Sequence, residues 1–136
     1  MPYLYAYIFG LTLIGAVALA FWKGGRDEKI VAVALIVAAV VSPLMQGSSF
    51  DNEQYGLILV DCLLLLVLCT VALKSDRYWP MCAASFQLTT IIFHIARSSS
   101  AFVVPAAYAD AIVFWGYLVA VALAVGTLLE AKGLRP

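Results

Sequence analysis

The sequence predicts an all-α integral membrane protein: one bundle of five transmembrane helices, N-terminus outside and C-terminus cytoplasmic. Three observations predict it. Hydrophobic residues make up 65% of the 136-residue chain and charged residues only 12%, with a mean hydropathy of +1.01. A soluble domain of this size buries too little of its area to hide so much apolar surface, so the solvent is lipid. Five apolar stretches are separated by short charged or Gly/Ser/Pro-bearing turns, and the basic residues fall almost entirely in alternate turns.

The first segment, 3–22, is apolar and uncharged throughout. Twenty residues at about 1.5 Å each cross a hydrocarbon core of about 30 Å. Tyr3, Tyr5 and Tyr7 crowd one end and Trp22 marks the other, as an interfacial aromatic belt does. Ala18-Leu19-Ala20 resembles a signal-peptidase site, but no Lys or Arg precedes Lys23 and the apolar run is long, so a retained helix is expected. Gly24-Gly25 then turns the chain, with Asp27 or Glu28 expected to cap the next helix and complement its dipole.

The second segment, 30–46, is rich in Ala and Val, with Pro43 kinking or ending it. Ala34 and Ala38 offer a close-packing face. The third, 54–73, is Leu-rich and carries one charge, Asp61. Lys74-Ser75-Asp76-Arg77 leads into the fourth, 78–97, where Pro80 falls in the first turn and its missing N–H costs little. Tyr78 and Trp79 beside Arg77 read as an interfacial anchor. Pro105 opens the fifth, 105–129, in which Gly116, Ala120 and Ala124 make a small-residue ladder suited to tight helix pairing.

Sidedness follows from charge. Lys23, Arg26, Lys29, Lys74, Arg77, Lys132 and Arg135 lie on one side of a five-helix arrangement and only Arg97 on the other, which makes the former cytoplasmic. If segment four did not cross, Lys132 and Arg135 would lie outside.

Segment four is the least apolar and the most informative. Gln87, Thr90, His94 and Arg97 follow one another at steps of three, four and three residues, a single polar stripe on one helical face. Such a stripe cannot face lipid without cost, so it must point at other helices or at a water-filled gap. From the helical rise, Asp61, His94 and Asp110 lie about 10, 6 and 8 Å deep in the same outer half. Asp61 with His94, and Asp110 with Arg97, are the pairs expected, because a carboxylate in hydrocarbon is tolerable mainly when paired, hydrogen-bonded or protonated.

Other chemistries are poorly served. Eight basic and eight acidic residues balance, so nothing points to a nucleic-acid partner. With one histidine, bis-histidine haem ligation within the chain is excluded. His94, Asp61 and Asp110 have acceptable zinc-ligand types but no local spacing signature. Neither GxSxG, HExxH, Walker nor GxGxxG patterns occur, so no enzyme activity, metal or cofactor is expected. Cys62, Cys69 and Cys82 lie inside apolar segments and are expected to be small buried hydrophobes, Cys69 and Cys82 both toward the cytoplasmic end.

The SDRYWP turn, the FQLTTIIFHIAR segment and the WGYLVAVALAVGTLLEA end resemble small multi-span inner-membrane proteins of bacteria over roughly residues 61–131. The resemblance implies a bacterial inner-membrane location and carries no assigned activity. Two functions remain in view. The first is an accessory or structural subunit, packing against other membrane-protein subunits or a second copy through the small-residue faces, with lipids around it. The second is a small transporter or proton-coupled carrier that uses the Asp61 and His94 cluster. A quinone-binding module or membrane enzyme is a distant third.

Overall fold

The computed structural model describes residues 2–46, 53–99, 102 and 104–133. Five α-helices account for nearly all of them: α1 (Pro2–Lys23), α2 (Arg26–Gln46), α3 (Glu53–Lys74), α4 (Trp79–Ser99) and α5 (Pro105–Ala131). Four of these, α1, α2, α3 and α5, are long and apolar enough to cross a membrane.

Local chemistry sets the ends. The Gly24 N–H closes the last turn of α1 on the Ala20 carbonyl, and Gly25 caps α2. The Glu28 carboxylate reaches back to the Gly25 N–H at 3.0 Å, the reciprocal half of a capping box. The helix therefore starts at Arg26, one turn before the uncharged stretch, and carries Arg26–Lys29 as its first turn. Pro43 lies inside α2, within a turn of its end. Pro105 opens α5 after an extended Val104, where proline's fixed φ suits the first turn. Past its other end Gly133, at φ 71°, donates to the Glu130 carbonyl, a left-handed cap that a side chain would strain.

The helices form a ring. Each packs on its neighbours in sequence, α1 closes on α5, and α2 touches α5 across the middle. The buried apolar core gathers residues from one half only: Ala16 and Ala20 of α1, Val31 of α2, Leu68 of α3, Ala83 of α4 and Leu123 of α5. That half holds the α1–α2 and α3–α4 turns and the C-terminal end of α5, so the bundle is a cup with a packed base. The outer wall is apolar as well, with Leu11, Ile14, Leu66 and Ile92 exposed. A face of this extent is expected of a surface in contact with lipid.

Several threonine and serine hydroxyls bond back within their own helices: Thr12 donates to the Ile8 carbonyl, Thr70 to Leu66, Ser85 to Met81 and Thr127 to Leu123. This removes donors that hydrocarbon could not satisfy.

Two glycines set close approaches. A Cβ on Gly126 would lie 2.5 Å from the Trp79 indole. Trp79 is therefore wedged between α4 and α5, 4% exposed, and is no interfacial anchor, whereas Tyr78 next to it is exposed. A Cβ on Gly116 would sit 3.0 Å from the Phe9 ring. Gly126→Ala is expected to destabilise the bundle by about 1–3 kcal/mol, because a buried indole at a helix crossing has nowhere to move. Gly116→Ala should cost less, since only a ring edge must give. Denaturation in mixed micelles compares the two.

The small-residue ladder of α5 is spent inside the chain, whereas that of α2 borders a groove. Ala120 is buried, Ala124 packs on the core, Gly116 meets Phe9, and Ala34 and Ala38 line a shallow apolar groove between α2 and α3.

Candidate functional site: a polar-walled cavity

Above the packed base the ring surrounds a half-open cavity of about 460 Å³. All five helices line it. Phe9 and Leu13 of α1, Ala38 and Pro43 of α2, and Ile112 and Val113 of α5 make apolar walls. One wall is polar, formed by Asp61, Gln87, Thr90, His94 and Tyr108.

That wall is built from the α4 stripe. Its period turns Gln87, Thr90 and His94 to one face, and all three are buried. Thr90 donates to its own helix at Phe86. Gln87 donates from Nε2 to Asp61 Oδ1 at 2.9 Å. The second carboxylate oxygen, Oδ2, lies 2.7 Å from His94 Nε2. On the far side of the imidazole, the Tyr108 hydroxyl is 2.5 Å from Nδ1. Asp61, His94 and Tyr108 thus form a continuous carboxylate, imidazole and phenol chain across α3, α4 and α5.

The chain can hold two proton states without rearrangement. With neutral His94, Nε2–H donates to Asp61 and the tyrosine hydroxyl donates to Nδ1. With imidazolium, both nitrogens donate, to the carboxylate and to the phenol oxygen. A hydroxyl rotor serves either state because it is both donor and acceptor.

Arg97 and Asp110 stand elsewhere. The Arg97 guanidinium lies 5.9 Å from the Tyr108 ring centroid and does not line the cavity. Asp110 is exposed and forms no ion pair among the described residues. It sits two residues, about 200° of helix, beyond the inward Tyr108, so it faces away. No group of three or more His, Cys, Asp or Glu side chains that could hold a metal ion occurs among the described residues. The three cysteines are free and exposed.

Tyr108 is the residue sequence reasoning missed. It lies before the charge-free part of segment five, yet Tyr108, Ile112, Gly116, Val119 and Leu123 fall on one helical stripe. That stripe was the available signal.

A second polar cluster closes the opposite end. Arg77, in the α3–α4 turn, donates to Glu28 of α2 and, with both terminal nitrogens, to Glu130 of α5, one of these bonds at 2.6 Å. The Gly25 N–H also reaches Glu130, at 3.2 Å. Glu28 has no exposed surface. The hydrogen bonds to Glu130 hold the Arg77 guanidinium above its ordinary pKa, so it is cationic throughout. These groups lock α2, α5 and the α3–α4 turn together below the core.

Fold and site define a helical bundle with a polar-walled cavity above a closed base. No family model, curated protein or solved structure matches the chain.

Proposed function

We propose that the chain is a five-span membrane protein of the bacterial inner membrane that acts as a small proton-coupled carrier, holding a largely apolar molecule in the cavity. The observation that carries this reading is the Asp61, His94 and Tyr108 chain on the cavity wall. Intramembrane ionisable residues are expensive and usually serve function. Pockets of this volume, apolar with a few convergent polar groups, are typical of small-molecule sites.

Five spans are supported by α4 itself. Its first residue packs on Gly126 near one end of α5 and its His94 meets Tyr108 near the other. It therefore runs alongside α5 for most of its length, and if α5 crosses, α4 crosses with it. Charge sidedness supports an outer N-terminus and a cavity in the outer half.

The accessory-subunit reading has less support, because the α5 ladder that motivated it packs within the chain, although Ala34 and Ala38 of α2 still line an open groove. Native mass spectrometry after mild extraction from the host membrane separates the two. The carrier reading expects a monomer or symmetric oligomer retaining a small molecule, lost in Asp61→Asn and His94→Ala. A ligand-free protein in a heavier complex with other polypeptides would contradict it.

A further inference from the structure

We infer that the ligand of this cavity is a lipophilic monovalent cation that competes with the His94 proton for the Asp61 carboxylate. The inference rests on the carrier reading of the same site and adds the charge class of what it carries.

Asp61 is the only carboxylate on the cavity wall among the described residues. Its two oxygens meet His94 Nε2 and Gln87 Nε2, and its side chain is 18% exposed. An ionised carboxylate in such surroundings is stabilised by a positive partner. The charged or titratable groups near it are few: His94 and Tyr108 line the cavity, Arg97 lies beside Tyr108 outside the lining, and Asp110 is exposed. α1 and α2 contribute only Phe9, Leu13, Leu35, Ala38, Ala39, Ser42 and Pro43, none of which ionises.

His94 is therefore the lining group that can neutralise Asp61, and it does so only while protonated. With the proton present the wall carries no net charge. When His94 gives its proton to solvent, the described lining residues carry one net negative charge among mostly apolar neighbours. A monovalent cation with an apolar body restores neutrality. The rings of Phe9 and Tyr108, which both line the cavity, also favour a cation. An anion would face Asp61 directly, and a neutral molecule would leave the charge unanswered.

One cation in and one proton out at a shared carboxylate is a reciprocal coupling, so each must weaken the other. The test uses wild-type protein in zwitterionic nanodiscs and three probes of similar shape: tetraphenylphosphonium, tetraphenylborate and neutral triphenylphosphine oxide. Equilibrium dialysis against empty nanodiscs corrects for partition into lipid. Saturable phosphonium binding is expected, weakening by up to about tenfold per pH unit on the acidic side where His94 is protonated. Calorimetry in buffers of different ionisation enthalpy should show release of one proton per cation on that side. Asp61→Asn should abolish binding, and His94→Gln should make whatever binding remains independent of pH.

Tighter binding of the borate or the oxide, still sensitive to Asp61→Asn, would overturn the cation assignment and leave the carrier reading standing. Phosphonium binding with neither pH dependence nor proton release would also overturn it. Failure of all three probes, together with a ligand-free protein on extraction, removes both readings.

Discussion

Arg77→Ala is expected to destabilise the bundle by about 3–5 kcal/mol, the cost typical of removing one partner from a buried ion pair. The reason is Glu28, whose side chain has no exposed surface and whose carboxylate is bonded by Arg77. Without the guanidinium, Glu28 would face Glu130 across the closed base with no cation between them. Arg77→Lys should recover only part of the loss, because an ammonium cannot reach both carboxylates with the same planar fork. Glu28→Gln in the Arg77→Ala background should recover stability, since it removes the stranded charge. Unfolding in mixed micelles measures all four proteins. Equal stability of Arg77→Ala and wild type would mean that the cluster does not hold the base together.

This cluster was illegible in the sequence for a definable reason. Charge-free runs delimit spans well, but they exclude Arg26–Lys29 from α2 and Glu130 from α5, and these are the turns that carry the carboxylates inward. The partners lie 49 and 53 residues apart, and no periodicity reports a pairing at such distances. The signal that existed was sidedness. Glu28, Arg77 and Glu130 all belong to the same predicted side, where a lone arginine between two acidic helix ends invites a bridge.

The all-helical arrangement and its five helices were legible because long uncharged apolar runs, separated by short charged turns, leave few other solutions. The face of α4 was legible too, since one stripe of Gln87, Thr90 and His94 has only one direction to point. Where Asp110 points was not. The depth estimate put it level with His94, but depth says nothing of azimuth, and two residues of helix separate Tyr108 inside from Asp110 outside. Trp79 likewise read as an anchor by composition, while Gly126, forty-seven residues on, is what makes room to bury it.

The second large effect is expected at the cavity. His94→Ala removes the partner of Asp61 Oδ2 and leaves Gln87 Nε2 bonded to the carboxylate; Asp61→Asn removes the charge and weakens the bond to His94. Each single change should cost about 1–3 kcal/mol, as for a buried polar group that loses its partner. The double variant Asp61→Asn/His94→Ala should cost less than the sum, with a coupling near 1 kcal/mol, because contacts across membrane helices are worth about that much. Simple additivity would mean the two side chains do not touch. Asp110→Asn serves as a contrast and should change stability little, being exposed and unpaired among the described residues.

His94 is the only histidine in the chain, so nitrogen NMR of the imidazole in lipid nanodiscs tests the central claim with a single pair of ring signals. Asp61→Asn is expected to move the Nε2 signal and Tyr108→Phe the Nδ1 signal, each variant acting chiefly on the nitrogen it touches. Ring signals indifferent to both substitutions would mean that no carboxylate, imidazole and phenol chain lines the cavity, and would contradict the account.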